Sequence, residues 1–398
     1  MSYKLSDNFS SMKPSATREI LKVTSQPGMI AFAGGSPDTD AFPCEEVKVL
    51  SSQILNDNPV SALVYGVSEG YEPLRENVKN WLKRVDNIGS DNDRIIITSG
   101  GTQVMDLATR VLTSPGDTVI CEEPSFIGSL NCFRSHGCKL VGVEIESDGM
   151  NIDKLKEAVK ANPEARFIYT IPNFQNPGGT TLSLEKRRAM YEIARDNNLI
   201  IIEDDPYGKL RTAGESLPSI KSMDEDGIVI YAGSFSKILA PGIRVAYAVV
   251  PNKIVPAFTI AKQVSDVHTG VLNQMIVSRW FDEYDIDEHI GEIQKIYRRK
   301  LNLMCDCLDK YCSDFISYVR PEGGLFIWAK LDDRIDMMQY VNKLLEYKVA
   351  VVPGTAFMID DTAPCQHIRL NFSTPSDENI INGVKLMAEA INELRVKN

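Results

Sequence analysis

The chain has 398 residues, 43% of them hydrophobic and 24% charged, with 26 glycines and 20 prolines, a composition that excludes disordered, collagen-like and membrane-embedded classes. At roughly 100–200 residues per domain, two or three domains are expected. The 43 lysines and arginines against 54 acids leave a net charge of −11, which repels a nucleic-acid backbone; no nucleic-acid partner is expected, and an anionic ligand needs a local cationic pocket.

The polar residues 1–15 do not read as an export signal, and no run of about 18 apolar residues occurs, so membrane anchoring is not expected. Residues 16–24 read as a helix and 28–43 as irregular chain. From residue 94 onward short apolar runs at 95–97, 118–121, 167–169, 199–202, 228–230 and 245–250 alternate with helical periodicity. Successive apolar, β-branched residues mark strands covered on both faces. Between two of these runs, 183–197 places Ala189, Met190, Ile193 and Ala194 at helical spacing, with Ser183 and Asn197 as caps. Strand, helix, strand in succession predicts a mostly parallel sheet wrapped by helices over about 60–285. Beyond it a long charged helix over 286–311, short strands at 317–319, 325–331, 350–352 and 367–372, a helix at 337–346 and a final helix describe a smaller α+β unit. The eight cysteines include no C-x-x-C pair, which reads as reduced thiols and a cytoplasmic location.

Chemistry-bearing residues stand mainly where strands end. Gly233-Ser234-Phe235-Ser236-Lys237 follows one run, with Arg244 seven residues on. Two hydroxyls, an amine and a guanidinium suit a phosphate cradle beside a reactive amine, provided that a closed pocket keeps the amine partly neutral. A serine-rich loop with a solvated lysine is the plainer alternative. Glu203-Asp204-Asp205-Pro206-Tyr207 lies at the carboxyl edge of the sheet, where open parallel sheets place ligands. A carboxylate there suits a cationic ring nitrogen and a tyrosine three residues later a phenolate oxygen, although acids at strand ends also bind Mg²⁺ or cap helices.

Asn173-Phe174-Gln175-Asn176-Pro177-Gly178-Gly179 reads first as a turn. Thr98-Ser99-Gly100-Gly101-Thr102-Gln103 joins strand to helix, where backbone N–H groups suit a phosphate. Phe126 after Pro124-Ser125 is placed to stack on a planar ring or to fill core. Arg369, in an apolar strand, needs a structural or a substrate carboxylate. Neither G-x-G-x-x-G nor a P-loop occurs, and the four histidines (136, 268, 289, 367) show no metal-ligand spacing, so no metal site is expected. Ser234-Phe235-Ser236-Lys237 is formally S-x-x-K, and 265–270 loosely match the other boxes of penicillin-recognising enzymes, but those two boxes abut here and Pro241-Gly242 would soon break the required helix.

Taken in order, with Phe32-Ala33-Gly34-Gly35, Tyr65-Gly66, Pro321-Glu322-Gly323-Gly324 and Val352-Pro353-Gly354, these motifs resemble the class I/II aminotransferases of the pyridoxal-phosphate (PLP) fold-type I superfamily, in the 2-aminoadipate and kynurenine aminotransferase branch. The resemblance implies an α/β fold in which a large domain (46–285), with a mostly parallel central sheet flanked by helices, binds PLP. A smaller α+β domain (286–398) follows, and an N-terminal helix and segment (1–45) packs near the active site and the small domain.

By this resemblance Lys237 holds PLP as a Schiff base, Asp204 pairs with the ring nitrogen, and Tyr207 and Asn176 contact the ring oxygen. Ser234, Ser236, Arg244, Gly101 and Thr102 hold the phosphate, and Phe126 stacks on the ring. Tyr65 reaches the phosphate of the partner subunit, which implies a homodimer. Arg369 and Asn176 bind the substrate α-carboxylate beside Gly35, and Arg18 on the N-terminal helix is the candidate for a distal carboxylate. Two departures stand out: Asn176-Pro177-Gly178-Gly179 where Asn-Pro-Thr-Gly is usual, and Ser36 where leucine is common. The expected activity moves an amino group from an L-amino acid (glutamate, 2-aminoadipate, aromatic or aliphatic) to a 2-oxo acid such as 2-oxoglutarate. A lyase or decarboxylase on the same fold, or the effector-sensing domain of a transcription regulator, is the alternative.

Overall fold

The structure, a computed structural model, describes Tyr3, residues 6–10 and residues 27–396. The helix expected over 16–24, and with it Arg18, lies outside the described residues. A short strand, β1 (Ile30–Ala31), precedes eight strands of one sheet: β2 (Asp93–Thr98), β3 (Thr118–Glu123), β4 (Lys139–Glu146), β5 (Gly149–Met150), β6 (Phe167–Thr170), β7 (Ile200–Asp204), β8 (Val229–Ser234) and β9 (Ala246–Pro251). Their order is β2-β9-β8-β7-β6-β3-β4-β5. Neighbours from β8 through β7, β6 and β3 to β4 run parallel. β9 runs antiparallel to both β2 and β8, and β5 folds back on β4.

All six expected runs form strands of this sheet. β4 and β5 were not anticipated, because β4 lies near the edge, is half-exposed and interleaves its apolar residues with charges and Gly142. The continuous apolar runs arise because helices cover both faces. Val119, Cys121, Phe167, Tyr169 and Ile202 pack into one core, while Ile120, Ile168 and Ile201 pack into the other. On that second face the helix Leu184–Asp196 starts where Ser183 accepts from the Lys186 N–H, and it buries Met190 and Ala194. Met190→Ala would remove about 2–5 kcal/mol of that packing.

The C-terminal part is built on β10 (Ile316–Tyr318), β11 (Phe326–Leu331), β12 (Val349–Ala350), β13 (Val352–Pro353) and β14 (His367–Asn371), with the antiparallel order β10-β11-β14-β13. The single strand expected at 350–352 is therefore two, and β12 pairs in parallel with β1. The long helix Ile286–Tyr311 is capped by the Asp285 carboxylate, which accepts from the N–H groups of Asp287 and Glu288.

Residues 28–43, expected to be irregular, contain β1 and a short 3-10 turn, Thr39–Ala41. They are tied to the C-terminal sheet: Asn371 N–H donates to Phe32 O at 2.8 Å, and the buried Lys300 pairs with Asp38. Among the described residues one His/Cys/acid group has metal-capable proximity, Asp106, Cys132 and His136. They meet between the helices Gly101–Leu112 and Ile127–Ser135, where Asp106 pairs with His136 at 2.8 Å and Arg110 at 3.1 Å.

Candidate active site

Parallel strands bring their carboxyl ends to one edge, so the loops after β2, β3, β6, β7 and β8 open on a common cavity of about 350 Å³. Gly35, Gly101, Thr102, Phe126, Asn176, Asp204, Tyr207, Ser234, Ser236, Lys237, Arg244 and Arg369 all line it. Tyr65 does not. It is 87% exposed on the outer surface, its ring edge-on to His268 at 5.7 Å.

Lys237 leaves β8 in a turn over 235–239 rather than at a helix start, which removes the structural context that an S-x-x-K box needs. Its Nζ donates to Gly35 O at 2.8 Å. Burial, with Arg369 and Arg244 adding repulsion, lowers the amine to about 8. Asp204 closes β7 and accepts at Oδ2 from the Tyr169 hydroxyl at 2.8 Å. Burial pushes its carboxyl up to about 7 despite that hydrogen bond. Asp205 points elsewhere: it accepts from Asn173 Nδ2 at 3.0 Å, Gly208 N–H at 2.9 Å and Tyr231 OH at 3.1 Å, which shapes the turn that carries Tyr207.

Two cationic poles flank this pair. At the first, Arg244 takes the left-handed conformation (φ 56°) before β9, and its Nη2 donates to Ser99 O at 2.8 Å. Gly100 (φ 101°) precedes the helix Gly101–Leu112, and a Cβ there would collide with the Arg244 guanidinium. The first N–H groups of that helix have no intrahelical acceptor and face the same pole. Ser236 N–H donates to Ser234 Oγ at 3.1 Å nearby. Phe126 lies against Gly128, where a Cβ would come within 2.6 Å of its ring.

At the second pole Arg369 reaches out of β14. Its Nη1 donates to Asn176 Oδ1 at 3.0 Å and its Nη2 to the carbonyls of Ala33 and Gly34 at 2.9 and 3.2 Å. The guanidinium carbon sits 4.1 Å from the Phe326 ring centroid. Burial lowers the group to about 10, and its buried Nε has no hydrogen-bond partner among the described residues. Asn176 Nδ2 also donates to Tyr207 OH at 3.3 Å, so one amide ties the arginine to the phenol.

Sequence reasoning did not reach Tyr169, Phe326 or the support of Asn176. That support is the buried Glu122, which accepts from Thr170 Oγ1 at 2.6 Å, Ile171 N–H at 3.1 Å and Gln175 Nε2 at 3.1 Å. Gln175 Oε1 in turn accepts from Gly178 N–H at 2.7 Å. A glutamate directly after the apolar run of β3 was the available signal, since such a group, once buried, needs buried donors.

Residues 27–385 match the family of class I and II aminotransferases. The chain is 36% identical to aromatic-amino-acid aminotransferase 1 of Thermococcus litoralis, over 96% of this chain and 92% of that protein. It is 35% identical to 2-aminoadipate transaminase of Thermus thermophilus, over 96% and 95%. A crystal structure of Pyrococcus horikoshii kynurenine aminotransferase in complex with PMP superposes with a TM-score of 0.94 at 36% identity, covering 98% of this chain and 97% of that one. Fold and site thus define a PLP-dependent enzyme of fold type I. The chain belongs to the class I and II aminotransferases, and it is a PLP-dependent transaminase.

Proposed function

We propose that the cavity carries out transamination with Lys237 as the cofactor-binding amine and proton carrier, Asp204 as the partner of the ring nitrogen, and Arg369 as the receptor of the substrate α-carboxylate. The residues present fit PLP. A half-buried amine of lowered basicity suits its aldehyde. A buried carboxyl with no cation among its described hydrogen-bond partners suits its ring nitrogen, and the Arg244 pole with Gly101, Thr102, Ser234 and Ser236 suits its phosphate. When bound, PLP supplies the electron sink for the pair left at Cα as the proton departs.

The other tasks fall to side chains. Asp204 holds a proton on the ring nitrogen, Tyr207 and Asn176 orient the ring oxygen, and Phe126 covers the ring. Lys237 Nζ takes the proton from substrate Cα, and an amine near 8 is matched to that work at neutral to mildly alkaline pH. Arg369 exchanges carbonyl acceptors for a carboxylate, a stronger, charge-assisted pairing. The observation that carries the reading is the convergence of the half-buried Lys237 with the buried Asp204 and Arg369 on one cavity.

Met105, Phe126, Ile171 and Phe326 give the cavity apolar walls, which supports aromatic or aliphatic donors. With the names of its relatives, this favours aromatic amino acids, 2-aminoadipate and glutamate as donors, and 2-oxoglutarate as acceptor. We place the working units at 46–285 and 286–398, with 1–45 packed near the active site. A homodimer is supported by exposed Val60, Leu63, Val64, Tyr65 and Val67, an apolar stretch of the kind that a second copy covers. Eight free cysteines support a cytoplasmic location. Among the described residues no helix is long and apolar enough to cross a membrane.

Borohydride reduction of the PLP-loaded protein followed by peptide mapping tests the assignment: the pyridoxyl label falls on Lys237. Lys237→Ala should lower transamination by at least about 10²–10⁴-fold, the scale of a lost acid–base group. A label on another lysine overturns it.

A further inference from the structure

Lys262 lies wholly outside the cavity, yet it is fully buried on the helix Val255–Ser265. Its ammonium donates to Gln103 Oε1 at 3.0 Å, to Asp266 Oδ1 and Oδ2 at 2.9 and 3.1 Å, and to Thr269 Oγ1 at 3.2 Å. Each of these three partners also holds Ser99. Gln103 Oε1 accepts from the Ser99 N–H at 2.8 Å, Asp266 Oδ2 accepts from the Ser99 hydroxyl at 2.8 Å, and Thr269 Oγ1 lies 3.0 Å from that hydroxyl. The one remaining polar group of Ser99, its carbonyl, is the seat of Arg244 Nη2 at 2.8 Å. Gly100, Gly101 and Thr102 follow directly.

We propose that Lys262 is the positioning residue of the phosphate pole: through Gln103, Asp266 and Thr269 it fixes Ser99, and Ser99 fixes both Arg244 and the start of the helix Gly101–Leu112. A lysine fits the task because one ammonium satisfies several acceptors at once. The inference rests on the phosphate being bound at that pole. It goes beyond that assignment by naming a residue that touches neither the cavity nor the cofactor groups. A buried network of this kind acts as a unit, so its members should not contribute independently.

The test compares binding of PLP and of pyridoxal, which has the same ring and aldehyde without the phosphate, to cofactor-free wild type, Lys262→Met and Ser99→Ala, followed by the visible absorbance of the bound aldehyde. Wild type should prefer PLP strongly. Lys262→Met should weaken PLP about tenfold or more, as expected when buried hydrogen-bonding groups lose a partner, and leave pyridoxal within about twofold. Ser99→Ala, which leaves the Lys262–Asp266 pair in place, should shift the ratio the same way, and the double variant should be no worse than the stronger single. Equal weakening of both ligands in folded Lys262→Met, or an unchanged ratio, overturns the proposal. If Lys262→Met does not fold, an unchanged ratio in Ser99→Ala overturns it. A wild type that binds both ligands alike overturns the phosphate assignment beneath it.

Discussion

A carboxyl group buried without a cation hydrogen-bonded to it is costly to keep ionised, and among the described residues Asp204 is held in that condition. Its raised pKa, from 3.8 to about 7, means that the native state binds more protons than the unfolded chain between those values. Stability of the cofactor-free protein therefore falls as pH rises through that window, and the penalty is complete above it. Glu122 and Glu203, also raised to about 7 by burial, act in the same direction. Lys237 acts oppositely in another window: lowered from 10.5 to about 8, it makes stability rise with pH between those values.

Asp204→Asn should accordingly raise the melting temperature of the cofactor-free protein at pH 8 more than at pH 4, because the amide can still accept from Tyr169. The same change should reduce kcat by about 10²–10³-fold, the scale of lost oriented electrostatics. Asp205→Asn should cost about tenfold or less, since that side chain only braces the turn before Tyr207. Melting curves at the two pH values with steady-state rates check both, and equal kinetic losses would assign the wrong acid.

At the scale of elements, the loop after β6 shows how a turn becomes part of a site. Glu122 and Gln175 hold the backbone around Asn176, whose amide orients Arg369 and Tyr207. Gln175→Leu would leave Glu122 and Gly178 N–H each short of a partner. About 1–3 kcal/mol of stability should be lost, and KM for the amino acid should rise more than kcat falls, as measured by chemical denaturation and initial rates.

What was legible in the sequence follows from the same division. Lys237, Asp204, Tyr207, Arg244 and Arg369 stand out because a polar group at a strand end or inside an apolar run is out of place unless it has work to do. Tyr169 was hidden, since an aromatic residue in a strand reads as core and only the pairing of β6 with β7 brings its hydroxyl to Asp204. Lys262, Gln103 and Asp266 were hidden for a related reason: the network joins distant stretches of chain, 159 residues apart for Gln103 and Lys262 and 167 for Ser99 and Asp266. The pattern of both units was legible from periodicity, whereas β1 and β4 were not. The first has only two residues, and the second is half-exposed.

For the whole molecule, the position of Tyr65 on an apolar outer surface leads to a complementation experiment. In the proposed homodimer, Tyr65→Ala and Lys237→Ala subunits, each expected to be inactive alone, should on mixing and exchange recover about a quarter of wild-type activity, because half of randomly paired dimers would be mixed and each would have one intact site. No recovery under conditions where exchange is shown by tagged subunits would mean that Tyr65 serves no site across the interface.

The segment Ala33–Ser36 has a different consequence. It commits successive carbonyls to Arg369, to Lys237 and to the hydroxyls of Ser373 and Thr374. Arg369 thus rests on neutral acceptors, and among the described residues that line the cavity it is the cation left for a substrate once Lys237 and Arg244 hold the cofactor as proposed. A molecule of net charge −11 therefore repels an anionic amino acid or 2-oxo acid from afar and draws it in at close range. Dissolved salt weakens the first force at separations beyond about 10 Å at 0.1 M, while its own anions compete for the second. The rate at limiting substrate would then pass through a maximum with ionic strength, earlier and lower in sulfate or phosphate than in chloride, since doubly charged ions suit two-pronged guanidinium sites.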